Sequence, residues 1–561
     1  MSPAVGGADE WRKRGVEGSN RIASMLRREL TRRSFASKTL AGIGMLALPG
    51  VLAACGGGQG GFGSSSSRAP SAATKSYSGK IVIGINSDPP DPVKQAIVTA
   101  YRQRQPKVDV VWDTRDFGGP ANYVSWLGTQ LAAGNIQLDV VAGNYVPTFK
   151  GYINLDEFRG STNPYTGHAW GQDLNWDFYR GVNALSQRIM LATQAVHINW
   201  FYNKDLFDKA GVQPPKNWDE FEAVCGKLKS AGITPIASNF DYMVPQWFAE
   251  VYFDQYHVDW VNEVRAQPGD WDYAKALDGS FKFNRDEPNI HSLYTYNHQR
   301  FFKGIKDGKL RFDTRQVAEI IRNMARIFPK YATADFFVLE DPYTPFLQQQ
   351  VAIMSNGSWT LPELTADLQS LSPARLAKLK IPAGSVKSFN WGTFENPPMQ
   401  GSLVRSRVRS VESASGEYIS VVNKNAQQND LVMDFVMFWL SKVGYKTYLD
   451  AYVKSGQFAP AGPMEVKGVQ YPAQEQQLFS QLKFLGNAEA SYNGFWTGGA
   501  GDTQLKDLHN LFKSALEGNL SPDQYGTQLQ RYVTDNLEQS LKLSSLTDTD
   551  IRNPARRPTS A

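Results

Sequence analysis

The sequence predicts an α/β fold arranged as two lobes, and two observations carry that reading. Between Lys80 and Asn144 the chain alternates strand, helix, strand, helix and strand within about seventy residues, the pattern of a largely parallel sheet flanked by helices. About 500 residues follow the amino-terminal leader, too many for one hydrophobic core, so two lobes are expected. No internal repeat is visible.

The leader stands outside that fold. Thr39–Ala54 is the most apolar run, but its sixteen residues are interrupted by Gly42, Gly44, Pro49 and Gly50, whereas a bilayer-spanning helix needs about 20 apolar residues. A basic lead (Arg27, Arg28, Arg32, Arg33, Lys38) before an apolar core is the layout of an export signal. Thr31-Arg32-Arg33-Ser34-Phe35 with Lys38 resembles a twin-arginine signal, general secretion being the other route. Leu52-Ala53-Ala54-Cys55 resembles a bacterial lipobox, which implies a lipid on Cys55 and a membrane anchor. Residues 1–54 therefore read as a lipoprotein signal peptide and 55–79, GGGQGGFGSSSSRAPSAATKSYSG after Cys55, as a Gly/Ser-rich tether. The G-x-G-x-x-G within it (Gly56, Gly58, Gly61) follows no strand and opens no helix, so it is not a dinucleotide fingerprint. The expected location is extracytoplasmic, at the outer face of the cytoplasmic membrane.

Removing the leader changes the charge reading. It holds nine Lys/Arg and four Asp/Glu of totals of 59 and 54, leaving 50 of each and a formal charge of zero. No basic field remains to argue for nucleic acid. With only Cys55 and Cys225 there is no disulfide framework and no thiolate metal cluster; Cys225, in DEFEAVCGKLKSAG, reads as a buried helix residue.

The elements follow in order. KIVIGIN is a strand, Pro92–Arg104 a helix, VDVVWD a strand, ANYVSWLGTQLAAG a helix stopped at Gly134, and LDVVAGN a strand. IMLATQAVHINWFYN is strand-like, KDLFDKAG a Gly-stopped helix, and Pro214-Pro215-Lys216-Asn217-Trp218 opens the helix DEFEAVCGKLKSAG, with Asn217 or Asp219 as its cap. ITPIAS is a strand, residues 250–340 are helical and rich in charge and aromatics, and VAIMSNGSW is a strand and turn. EYISVVN is a late strand and DLVMDFVMFWLSKV an amphipathic helix, while the polar segment 541–561 reads as disordered.

Several of these segments resemble extracellular solute-binding proteins of ABC importers, in the carbohydrate-type branch of the maltodextrin-binding protein. WFYNKDLFDKAGVQPPKNWDEFEAVCGKLKSAGITPIA is similar to the family's YNK…KAG…PP-K-x-W-(D/E)-E stretch. LAAGNIQLDVV resembles its ASG-x-x-PDVV turn, with Leu138 where a proline is usual; VAIMSNGSW resembles AM-x-x-x-GSW; EYISVVNKNAQQNDLVMDFVMFWLS resembles its late strand and helix, without the usual small residue. The likeness runs over residues 80 to 535 in family order and is weak over 250–340. It implies a type II periplasmic-binding-protein fold, lobe 1 from 80–190 plus 400–446 and lobe 2 from 191–399 plus 447–540, with crossings near 189–196, 396–402 and 445–452. It further implies a monomer without catalysis or cofactor that closes over a sugar or oligosaccharide and presents it to an ABC transporter permease.

Candidate ligand residues come from loops after strands, where α/β sheets bind. The resemblance places a sugar-stacking Trp at Trp359 and a late aromatic platform at Trp496, and an indole face suits the C–H face of a pyranose. Trp247, in MVPQWF, is open between core and cleft. Asp88, Asn144, Tyr145 and Asp241 are candidates for sugar hydroxyls, each also readable as solvated surface. His197 would lie near a lobe crossing, with a satisfied core histidine as the competing reading, and Trp391 could line the cleft near a second crossing. The rival functions are an exported glycosidase, since aromatic clefts with carboxylates describe those too, and a glycan receptor without transport. No G-x-S-x-G, H-E-x-x-H or P-loop is present.

Overall fold

Two five-stranded sheets organise the chain, seen in a computed structural model that describes residues 75–85, 89–113, 115, 120–143, 151–176, 187–413, 417–488 and 502–558. The first has the order β2-β1-β3-β10-β4, from Lys107–Asp113, Ser78–Ile85, Val140–Gly143, Tyr418–Val421 and Leu191–Ala192. The second has the order β6-β7-β5-β8, from Thr234–Ala237, Val351–Gly357, Val196–Asn203 and Trp391–Phe394, with β9 (Glu412–Ser413) also paired to β5.

In the first sheet β1 is parallel to β2 and β3, as the alternating sequence predicts. Ile81 and Ile83 of β1 are fully buried, and the helices Asp91–Arg102 and Ala426–Trp439 meet through Tyr101, whose hydroxyl donates to Asp434 at 2.7 Å. Leu138, the departure from the family's proline, packs where a Cβ on Gly84 would come within 2.4 Å of it. Asp139 beside it is structural: it accepts from the Val82 amide at 2.7 Å and pairs with Lys424 at 2.7 Å.

The second sheet shows why the run around VHINWFYN is apolar on both sides. Ile198 and Trp200 face one helical layer, where Trp200 stacks on Phe248 at 4.7 Å, while Phe201 faces a second layer with Leu361 and Leu364. The helix Trp218–Ser230 starts as expected: the Asn217 side chain accepts from the Glu220 amide, and the Glu220 carboxylate reaches back to accept from the Lys216 amide. Cys225 is buried in that helix, and burial pushes its thiol up.

Register fixes which ends of the strands face the other lobe. β4 ends at Ala192 opposite Tyr418, which also pairs Gly143, the last residue of β3; after three intervening residues, 193–195, β5 begins in the other sheet. There Ile198 pairs Gly357, so β7 ends where β5 starts, and β6 runs parallel to β7. The carboxyl ends of β1, β3, β6 and β7 therefore all point at the crossing, the position at which α/β sheets take ligands.

The structure departs from the sequence reading in several places. Both sheets are mixed rather than mostly parallel: β10 is antiparallel to β3 and β4, and β5 to β7, β8 and β9. The reason is connectivity, because the first and second crossings lead straight into β5 and β10, which enter their sheets at the cleft edge and must run away from it, opposite to β7 and β3. The chain passes from the first sheet to the second at Thr193–Ala195, between β4 and β5. The second crossing falls after Ser413 rather than at 396–402, so residues 400–413, expected with the first lobe, belong with the second. They are held there by Arg409, fully buried against Asp254. The third is clamped at 461–465, beyond the expected 445–452, because the helix Lys442–Lys454 stays against the Asp91–Arg102 helix of the first lobe.

At the ends, β1 begins at Ser78, and Lys75 pairs with Asp430 at 2.8 Å, so the last residues assigned to the tether belong to the fold. The segment after Leu541 is ordered through Pro558 rather than disordered. Its apolar residues Leu546 and Ile551 are buried, and Gln299 donates to the carbonyls of Asp550, Asn553 and Arg556. Residues 1–74, with the export arginines Arg32 and Arg33 and with Cys55, lie outside the described residues. Among the described residues, no helix is long and apolar enough to cross a membrane.

Candidate ligand-binding face between the lobes

Trp359 stands two residues beyond β7, on the edge that faces the crossing, where it leads into the helix Thr360–Gln369. It is half-buried, and its ring lies directly over Gly357: a Cβ there would be 1.9 Å from the indole. The glycine of the N-G-S-W turn is thus a recess for the ring. Trp247, on the π-helical turn Met243–Phe248 that follows β6, meets Trp359 edge to face, with centroids 6.4 Å apart and planes at 65°. Only 8% of Trp247 is exposed. Trp247 thus packs as a buried wall beside Trp359, which is the more exposed of the two rings.

Asp241 lies in the same post-β6 segment with its side chain exposed, 3.8 Å from Nδ1 of His509. His509, on the helix Asp502–Leu516, also brings Nε2 to 3.4 Å from the side-chain amide of Gln246, the neighbour of Trp247. The structure therefore joins Trp359, Trp247, Asp241, Gln246 and His509 at one edge of the second sheet. Gln246 and His509 carried no sequence signal, since they are 263 positions apart.

His197 is at the crossing, as expected, but its imidazole is fully engaged. Nδ1 is 2.8 Å from Glu412 and Nε2 is 3.0 Å from Glu395, and the residue is buried. Burial would lower its pKa, but hydrogen bonds and charge from Glu395 and Glu412 outweigh that and bring it up to about 9. A side chain with both nitrogens committed to carboxylates has none to offer a hydroxyl in this arrangement. Burial holds Glu412 above the usual carboxylate range, and raises Glu465 and Glu417, near the same crossing, to about 7. Glu417 accepts from Tyr448 at 2.9 Å.

Trp391 is not brought to this face. It pairs Asn203 at the far end of β5, roughly 20 Å from His197 at about 3.3 Å per residue, and rests against Phe201. Strand β8 does reach the crossing, but with its other end, through Glu395. Asp88, Asn144, Tyr145 and Trp496 lie outside the described residues; the strands before the first three, β1 and β3, end at this face. Among the described residues, no group of three or more His, Cys, Asp or Glu side chains is placed to hold a metal ion.

The order of the two sheets and, among the described residues, the chain crossings between them define a two-lobed α/β fold. The chain belongs to the bacterial extracellular solute-binding proteins, whose family model matches residues 86–446. A Brucella abortus (strain 2308) protein known by a binding-protein name is 26% identical over 229 residues, covering 35% of this chain and 50% of the relative, and a Brucella suis biovar 1 (strain 1330) protein matches equally. The chain thus spans about half the length of the curated relatives it matches. The fold is shared with the cyclic α-maltosyl-1,6-maltose binding protein from Arthrobacter globiformis (TM-score 0.52, 14% identity, 82% of this chain and 100% of that one). It is shared too with a family 1 extracellular solute-binding protein from Bifidobacterium longum subsp. infantis (TM-score 0.52, 15% identity, 82% and 99%) and with a chitin oligosaccharide binding protein (TM-score 0.50, 16% identity, 82% and 99%).

Proposed function

We propose that this chain is the lipid-anchored, extracytoplasmic capture component of an ABC importer, and that it takes a sugar or oligosaccharide between its lobes without chemical change. The observation that carries the reading is Trp359, seated over Gly357 and propped by Trp247 at the strand ends that face the other lobe. An indole face held so can stack on a pyranose, and the exposed carboxylate of Asp241, on the same segment after β6 as Trp247, is proposed as a partner for its hydroxyls. The sugar ligands named for two of the fold relatives support the same substrate class. Asp88, Asn144, Tyr145 and Trp496 are proposed to complete the site, with Cys55 as the anchor and Arg32 and Arg33 as the export signal. In this reading lobe 1 comprises residues 78–192, 417–460 and 466–468, the last joined to Asp173 and Leu174, and lobe 2 residues 196–413 and 473–540 together with the docked carboxyl-terminal segment.

Closure follows from population shift: a ligand that touches both lobes binds the closed form more tightly and displaces the equilibrium towards it. A titration of tryptophan fluorescence with maltotriose, raffinose and chitotriose tests this. The expected result is saturable quenching by at least one, with affinity at least tenfold weaker, about 1.4 kcal/mol, in Trp359→Ala and in Trp496→Ala. Unchanged affinity in both variants refutes the site. Release of smaller sugars from the probe refutes the non-enzymatic reading.

A further inference from the structure

We infer that Ser358 is the positioning residue that couples the Trp359 turn to two of the three interlobe crossings. The inference rests on the reading of Trp359 as a ligand platform, but its geometry stands without it. Ser358 is fully buried; its carbonyl accepts from the Leu361 amide of the following helix at 3.1 Å, while its amide and hydroxyl are spent on segments at the crossings. Its hydroxyl accepts from the His197 amide at 3.0 Å and donates to the Ala461 carbonyl at 2.6 Å, while its own amide donates to the His197 carbonyl at 2.8 Å. One side chain thus joins the start of β5, just after the first crossing, to the third crossing, one residue before Trp359.

The surroundings make this joint tight. The Ala461 amide donates to the Gln194 side chain at 2.8 Å, the Ala195 amide to the Pro463 carbonyl at 2.8 Å, and the Glu465 amide to the Thr193 carbonyl at 2.8 Å. The first and third crossings therefore run as a paired ribbon. Gly462 fits only because it lacks a side chain: a Cβ there would be 1.8 Å from the Ala195 carbonyl and 2.7 Å from the Ser358 hydroxyl. The imidazole of His197 is fixed in turn by Glu395 and Glu412, which brings in the segment just before the second crossing. Rotation of the lobes must bend 193–195 and 461–465, and Ser358 carries any such movement to the residue that supports the indole.

Amide hydrogen exchange on the full chain, without ligand, tests the joint independently of sugar binding. Ser358→Ala is expected to raise exchange about tenfold in three separated stretches together, 193–199, 357–362 and 459–466, with β1 and β2 unchanged. Gly462→Ala, which leaves Ser358 in place but forces the third crossing away from the first, is expected to raise the same three. A rise confined to the His197 amide, or a rise spread evenly over the chain in both variants, overturns the inference. Failure of Trp359→Ala to weaken a saccharide would count against the proposed function alone, because these exchange rates contain no ligand term.

Discussion

Gly357 shows how much one missing side chain decides. The Trp359 ring occupies the space that a Cβ at 357 would take, at 1.9 Å, far inside any tolerable contact. Gly357→Ala must expel the indole or shift the end of β7. Overpacking of this kind costs about 1–3 kcal/mol, and the expected readouts are a lowered melting temperature and saccharide affinity reduced as in Trp359→Ala. Retained affinity would mean that the ring's seat does not matter to binding. The same scale shows the limits of sequence reading. N-G-S-W is visible as a turn presenting a tryptophan, but nothing in it tells that its serine bonds to residues 161 and 103 positions away. The resemblance places His197 near a crossing, yet its partners Glu395 and Glu412 are 198 and 215 positions distant. Carboxylates are too common for such pairing to be read from spacing.

Among elements, the crossings carry the charge. His197 has a folded-state pKa of about 9, above its unfolded value of about 6.5. Its contribution to stability is therefore fully present below about pH 6.5 and is lost as pH rises through about 9. Glu417 and Glu465, raised by burial to about 7, also favour the native state most at low pH, and lose that contribution as pH rises from their unfolded value towards 7. Thermal unfolding across pH 5 to 10 should show falling stability, with the step between about pH 6.5 and 9 assigned by Glu412→Gln. Removing that carboxylate should move the step to lower pH, and an unmoved step would deny the assignment. At the capping position, Asn217→Ala should cost about 1 kcal/mol by denaturant unfolding, since one side-chain bond to the Glu220 amide is lost. Individual elements are largely legible, because hydrophobic periodicity and caps are local signals: β1, β2, β3, β5 and β7 and the Trp218–Ser230 helix all lie where the pattern places them. Strand direction is not, since it depends on where the chain re-enters each sheet.

For the whole molecule, length and alternation announce two α/β lobes, but not the accessory structure on the second. The short helices between Val258 and Phe312 and the carboxyl-terminal segment pack on one another, with the Trp271 amide donating to the Pro554 carbonyl and Lys306 paired to Asp548. The tail reads as disordered because its apolar residues are few; two of them, Leu546 and Ile551, are buried against distant helices. Truncation after Ser540 should expose that surface and lower the melting temperature, each lost apolar side chain being worth about 1.5–3 kcal/mol. An unaltered melting temperature would show the docking to be energetically idle.

The central claim is that a saccharide is held between the lobes, and a thermal-shift screen of the full chain against a panel of maltotriose, raffinose, xylotriose and chitotriose tests it most directly. A ligand that binds only the native state raises its melting temperature as concentration exceeds Kd, by about 2.7 kcal/mol of stability at a hundredfold excess. The expected result is a concentration-dependent rise with at least one saccharide, abolished in Trp359→Ala at the same concentration. No rise with any saccharide, or a rise that Trp359→Ala leaves intact, would contradict it.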